Sequence, residues 1–325
     1  MNEDTAGLTL KQSIPVYASL FLGMAFFGSG TPAAKIVTAG FPLFLGPFLR
    51  LLAAALLTTP LLIMYRDDLR GISRENWLII LGIGAVGLVA FSIFLLTGMR
   101  MVNGVVGAMV MSMSPAVVAL GAAWFLGDKL DWRKITAIGL AVTGVLVINI
   151  SGKSIEAAGW TLVLGSLLVF AAVCSATAYS LLAKKASGNV KPILLVPMAG
   201  WVAAVLFAVP GIYQAISFDF SKPGINEWFA LFWWGIGPFA IGTSLWFIGL
   251  KAVKASTASG FMGAMPASGL ILSYVWLGDR FHWIHLLGFA LVLASIGIIA
   301  WAHRVKEKEM QKKGHKYDVQ VLCPC

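Results

Sequence analysis

Polar side chains that could hold a solute are few in this sequence, and most are set inside long apolar runs. FFGSGTP, residues 26–32, places Ser29 and Thr31 among Gly28, Gly30 and Pro32. Proline lacks an amide and crowds the carbonyl four residues back. The stretch therefore predicts a loosened helix whose backbone near Gly28, with the Ser29 and Thr31 hydroxyls, could receive a carboxylate. CSATAYS, residues 174–180, brings Ser175, Thr177, Tyr179 and Ser180 into a second run. Pro115 and Pro266 predict two further kinks, with Ser112, Ser114, Ser259 and Ser268 beside them. Those hydroxyls either line a cavity or bond back to carbonyls of their own helix. WWGIGPFAIGTSLWF, residues 233–247, adds aromatics: Trp233 and Trp234 are expected in the lipid-interface belt. Trp246 is expected there or in a cavity wall suited to planar or apolar side chains, and Met262 completes the candidate solute-binding set.

Two cations also fall within apolar runs, where a charge facing lipid is costly. Lys35 sits about one turn from a run's end and is expected to snorkel to the surface. Arg50 lies some eight residues into the second run, roughly 12 Å deep at 1.5 Å per residue. It requires a carbonyl, a carboxylate or water as partner, either as a structural contact between helices or as a solute or gate residue. The 14 acidic residues all lie in loops, tails or at span ends. Without a buried carboxylate, a strongly cationic solute lacks a counter-charge, which favours neutral or zwitterionic ones.

Enzyme chemistry has little to stand on here. Neither HExxH nor GxSxG occurs, and Asp279, His282 and His285 are the nearest approach to a metal set. They are expected to be a capping aspartate and interfacial histidines. Cys174 is expected to pack within a span, and the Cys323-Pro-Cys325 tail to carry no metal. The expectation is a non-enzyme with no cofactor and no metal.

The elements that position these residues follow from composition. Apolar residues make up 59% of the 325 and charged residues 12%, against about 25% charged in soluble domains. A bilayer span takes roughly 20 consecutive apolar residues, and ten such runs fall near 14–38, 42–65, 77–99, 104–127, 133–150, 159–183, 192–212, 227–250, 255–278 and 284–302. The expected fold is an all-α integral membrane protein of ten transmembrane helices. The first run is too long for a cleaved leader and is read as a retained span. A β-barrel is excluded, because its strands would alternate in hydropathy over about ten residues.

A net charge of +10 points to orientation rather than to nucleic acid, because the cations occupy short loops and the tail. With the N-terminus inside, 18 of the 24 Lys and Arg fall on the inner side and only Arg100, Lys153, Lys222 and Arg280 on the outer. The positive-inside rule then places both termini in the cytoplasm.

The chain also repeats itself. LGDKLDW at 126–132 returns as LGDRFHW at 277–283, and TGMRMVNGVVGAMVMSMSP at 97–115 lies over IGLKAVKASTASGFMGAMP at 248–266. At this offset of 151, Met111 pairs with Met262 and Pro115 with Pro266. Two five-helix units are expected, 1–152 and 153–303, followed by a basic tail, 304–325. Five being odd, the second unit enters the membrane inverted, as in many secondary transporters. The aspartates of the repeated joint are expected to cap the helix that follows or to pair with local cations.

The small-residue stretches before the helix-internal prolines, the following LGD plus a basic residue, and FLRLLAAALL in the second span resemble the drug/metabolite transporter superfamily, specifically its ten-helix EamA-type members. Within it the chain looks most like YddG-type exporters of aromatic and other amino acids. The resemblance implies export of amino acids, aromatic or other neutral ones, or of similar small metabolites, by alternating access between inverted repeats. It implies a multi-pass protein of a bacterial-type inner membrane, acting as a monomer with lipid and a small solute as partners. A broad exporter of drugs or lipophilic cations is the alternative.

Overall fold

The computed structural model describes residues 10–126, 155–186, 190–250 and 261–312, with 132, 135, 136, 139, 140 and 143 as isolated positions. The helices are α1 (Leu10–Gly40), α2 (Leu45–Met64), α3 (Arg66–Leu69), α4 (Arg74–Gly82), α5 (Phe91–Met101), α6 (Gly104–Met111), α7 (Ser114–Leu126), α8 (Ile155–Ala186), α9 (Pro192–Ile216), α10 (Ile225–Trp234), α11 (Thr243–Leu250), α12 (Ala264–Leu277) and α13 (Trp283–Lys312). Among the described residues there is no strand. Within the described residues, five stretches are long and apolar enough to cross a bilayer: Ile14–Gly40, Leu45–Met64, Arg74–Met101, Gly159–Ala183 and Leu194–Ile216. The expected fifth span, 133–150, lies outside the described residues apart from isolated positions.

Among the described residues, two spans contain a π-helical segment. Between α4 and α5 the chain forms a π-helical segment, Ile83–Ala90, and between α10 and α11 another, Gly235–Gly242. They begin at 83 and 235, 152 residues apart. A π-turn widens the helix and shifts the face that follows, and such segments concentrate at functional sites.

Breaks also occur where prolines were expected to act, but by another route. α6 stops at Met111, Ser112 and Met113 form a turn, and α7 starts at Ser114 with Pro115 in its first turn, where a missing amide costs nothing. The Met111 carbonyl, which would have bonded the absent Pro115 amide, instead accepts the Ser114 hydroxyl at 2.6 Å. Likewise, a short 3₁₀ turn, Phe261–Gly263, precedes α12, and Pro266 is its third residue. The two prolines start helices after a break.

FFGSGTP departs from expectation. α1 runs unbroken through it, with Pro15 and Pro32 inside. Gly28 is used for close packing: a Cβ there would collide with the Met265 carbonyl and the Ser268 hydroxyl, and one at Gly269 would stand 3.2 Å from the Gly28 carbonyl. Small residues let membrane helices approach in this way, and here they seat α1 against α12.

α2 packs along α9, α5 along α8, and α1 against α10, α11 and α12. One apolar core joins α1, α5, α6, α8 and α10, a second joins α2, α4, α8 and α9, and a third joins α1, α11 and α12 around Trp246. Alternate connections gather at opposite ends. At one end Arg100 Nη2 donates to the Phe41 carbonyl at 3.2 Å, and the amides of Phe44 and Leu45 donate to Gln214 Oε1 at 2.8 and 3.0 Å. At the other, Lys191 pairs with Asp68 at 2.8 Å and Lys185 with Glu75 at 3.4 Å. The Asp68 hydrogen bond raises the Lys191 ammonium above its ordinary range.

Candidate functional site

Arg50 is the deepest charge described, and its surroundings define the site. The side chain is 5% exposed. Nη2 donates to Ser92 Oγ at 3.0 Å, and the Ser92 hydroxyl in turn donates to the Leu88 carbonyl at 2.6 Å. The guanidinium lies over the Trp234 ring, 3.8 Å from its centroid, a cation–π contact strengthened by the burial of both partners. Gly235 makes the approach possible, since a Cβ there would stand 2.8 Å from the Arg50 carbonyl. Nε has no hydrogen-bond partner. A buried guanidinium with an unused donor is a costly arrangement and is poised for an acceptor.

Beside it, Trp233 Nε1 donates to Ser29 Oγ at 2.9 Å, and Ser29 donates to the Phe26 carbonyl at 2.6 Å. The Trp233 ring packs on Phe26 and Phe229, with centroids 5.3 and 5.7 Å apart. Gly30 lies against Pro238 and Trp234. The cluster thus joins α1, α2, α5 and α10, and both π-helical segments abut it: Ser92 lies two residues past the end of the first, and Trp233 and Trp234 immediately precede the second.

The two tryptophans lie inside the bundle, contrary to the expected lipid belt. Trp234 is 2% exposed and Trp233 is half-buried with a bonded ring nitrogen, so neither is a lipid-belt anchor. Trp246 is also no belt residue: it is 1% exposed, packed among Leu20, Met24 and Ala264, and its indole N–H has no partner. Lys35 does not snorkel; its ammonium donates to the carbonyls of Met99 and Val102, the latter at 2.6 Å. Sequence reasoning missed Ser92, a lone serine in an apolar helix whose signal was only its burial opposite Arg50.

The other expected residues are dispersed. Thr31 is buried in α1 with its methyl toward Gly107 of α6. Ser112 and Ser114 are buried at the α6–α7 break, bonding back to the Met109 and Met111 carbonyls. Ser175 and Ser180 bond back to the carbonyls of Ala171 and Ala176. Thr177 is buried with its hydroxyl unpartnered and packs on Gly121 of α7, while Tyr179 packs on Gly87 of the first π-helical segment. CSATAYS therefore faces the third and fourth spans. Cys174 is exposed on the bundle's outside, not packed. Met262 lies in the 3₁₀ turn before α12; Ser259, Asp128 and the Cys323-Pro-Cys325 tail lie outside the described residues.

Asp279 does not cap α13, the helix that follows it. Its Oδ2 accepts the Val105 amide of α6 at 3.0 Å. His285 is buried and shares a 2.8 Å hydrogen bond with the Tyr274 hydroxyl. Among the described residues no three His, Cys, Asp or Glu side chains are placed to hold a metal. A surface pocket of about 430 Å³ opens at the same end as Asp279, lined by Phe41, Arg100, Phe218, Lys222, Pro223 and Glu227.

Apolar spans stacked into one bundle, with a charge and hydroxyls sequestered between them, define a multi-pass membrane protein with a buried polar cluster in its interior. Residues 14–150 and again 163–301 match the EamA-like transporter family; the chain belongs to it, and so to the transporters rather than the enzymes. It is 27% identical over 290 residues to "Uncharacterized transporter YetK" of Bacillus subtilis (strain 168), covering 89% of this chain and 88% of that protein. It is 24% identical over 235 residues to a "Probable terminal-alkyne amino-acid exporter" of Streptantibioticus cattleyicolor, covering 72% and 76% respectively. A protein of known crystal structure superposes with a TM-score of 0.60 at 20% identity, covering 90% of this chain and 99% of that one, which supports the fold.

Proposed function

We propose that this protein is a secondary transporter that exports amino acids, neutral and aromatic ones included, or similar small metabolites, with Arg50 as the hook for the solute carboxylate. The observation that carries this is the buried guanidinium with its unpartnered Nε, braced by Ser92 and Trp234. Guanidinium and carboxylate match as a planar, charge-assisted pair. Trp233, Phe26 and Ser29 beside it offer an aromatic face and a hydroxyl. Thr31, Ser112, Ser114, Ser175, Thr177, Tyr179 and Trp246 stand further out along the solute's path, and Ser259 and Met262 are retained as candidates from sequence alone. The relative printed as an amino-acid exporter supports the solute class.

We place two inverted five-helix repeats at 1–152 and 153–303, working as a monomer with both termini in the cytoplasm of a bacterial inner membrane. The recurrence of the π-helical segment at 83 and 235, and the two stretches that match one family, support the repeat. The end bearing Phe41, Arg100, Lys222 and Asp279 is then the outer face. Arg50, Ser92, Ser29 and Trp234 are each 5% exposed or less, so a solute reaches them only when spans move apart, which is what alternating access provides.

Flux of radiolabelled amino acids in proteoliposomes tests the proposal, with competition by lipophilic cations as the second arm. The expected result is flux above empty vesicles that neutral amino acids block and lipophilic cations do not, because Arg50 repels a cation. Flux of lipophilic cations alone would overturn the solute class.

A further inference from the structure

The corner between the third and fourth spans is pinned by charges from elsewhere in the chain. α5 ends at Met101, and the carbonyls of Met99 and Val102 accept Lys35 Nζ. α6 begins at Gly104; its Val106 amide donates to Asn103 Oδ1 at 2.8 Å and its Val105 amide to Asp279 Oδ2 at 3.0 Å. A cation meets the carbonyl end of one helix and a carboxylate the amide end of the next, each matched to the helix dipole it faces.

The Asp279 contact spans 174 residues and joins one half of the chain to the other. Two glycines make it possible. Gly278 takes φ +68°, a left-handed turn that ends α12 and swings Asp279 toward α6. Gly104 lacks the Cβ that would collide with Leu277 and stand 2.9 Å from Asp279 Oδ2. Both helices it joins are hinged at their far ends: α6 at Ser112–Met113, and α12 at the 3₁₀ turn Phe261–Gly263. The two short rods also pack side by side, Ala108 against Gly269 and Leu270 in one core with Val105 and Met109, and the hydrogen bond at their tips forms a latch on that seam. A hydrogen bond to a charged group shifts an equilibrium by about tenfold or more, enough to bias a closed state and little enough to be broken in every cycle.

We infer that Asp279 is a gating residue: its bond to the Val105 amide holds the outer tips of the fourth and ninth spans together, and its release opens the solute site to the outside. The inference rests on the transporter reading and its orientation, but not on which solute is carried. It gives the second copy of the repeated LGD phrase a role across the two halves.

The test is sided labelling, which requires no solute and so can fail independently of the flux experiment. With Cys174, Cys323 and Cys325 replaced by serine, Thr31→Cys, buried under Gly107 of α6, reports access for a membrane-impermeant methanethiosulfonate. Asp279→Ala removes the acceptor. Val105→Pro removes the donor at the second helical position, where proline is tolerated. Each is expected to speed labelling from outside by about tenfold, on the scale of one charge-assisted hydrogen bond, and the double variant to label no faster than either. Asp279→Asn, which keeps an acceptor oxygen, is expected to stay closer to the parent. If Asp279→Ala does not accumulate, Val105→Pro carries the test. An unchanged outside rate, fully additive effects, or an equal rise from the inner face in inverted vesicles would overturn the inference, the last marking a loosened bundle instead of an opened gate.

Discussion

At the residue scale, Arg50 is the side chain on which the proposed solute recognition depends. Lysine carries the same charge but neither the planar fork nor the flat face that Trp234 covers. Arg50→Lys is therefore expected to retain partial flux with a raised KM for the amino acid, whereas Arg50→Gln lowers flux by about tenfold or more, the cost of losing a charge-assisted pair. A pair of proteoliposome titrations separates the two. Ser92→Ala acts on the same guanidinium from behind. It leaves Nη2 without its 3.0 Å partner and should destabilise the protein by about 1–3 kcal/mol, visible as a lower melting temperature in detergent. Trp233→Phe keeps the ring against Phe26 and removes the hydrogen bond to Ser29; the expected result is near-normal folding with altered preference among solutes, read by competition. Arg50 was legible in sequence because a cation deep in an apolar run must have a purpose. Its partners were not. Ser92 is one serine among many, and tryptophans near a span end carry the same hydropathy whether they face lipid or protein.

At the element scale, two devices place the site: π-helical segments that adjoin Ser92 on α5 and Trp234 on α10, and glycines that let spans touch. Gly28→Ala would drive a methyl into the Met265 carbonyl. Backbone yields poorly, so overpacking here is expected to cost at least about 1–3 kcal/mol and to reduce flux, whereas Gly71→Ala, with nothing within 4 Å, should change neither. Thermal unfolding of the two variants side by side checks this. The spans themselves were readable, because apolar runs of this length in a chain with 12% charged residues are solvated by lipid and by little else. Less readable was what proline does within them. FFGSGTP suggested an opened helix, yet Pro32 is absorbed in a continuous α1, because its neighbours are drawn into packing against α12. Pro115 and Pro266 do mark breaks, but by starting helices. Hydropathy contains no term for where an orphaned carbonyl finds its donor, as Met111 finds the Ser114 hydroxyl.

At the scale of the whole molecule, membership of the EamA-like transporter family and the grouping of alternate loops at opposite ends agree with a bundle that reverses direction at every span. The orientation proposed from the loop cations has a direct consequence. A single cysteine at Lys222 should react with an impermeant reagent in intact cells, and one at Lys191 only in inverted vesicles; the reverse pattern would turn the molecule over. The repeated phrase at 126–132 and 277–283 was visible in sequence, but its second aspartate binds across to α6, a partner that no local pattern announces. The central claim, that a solute carboxylate is carried past Arg50, is tested most directly by loading proteoliposomes with radiolabelled neutral amino acids and comparing the parent protein, Arg50→Gln and empty vesicles. Release from the parent is expected to stand well above both others. Equal release from the parent and Arg50→Gln, or none from the parent above empty vesicles for any amino acid, would contradict it.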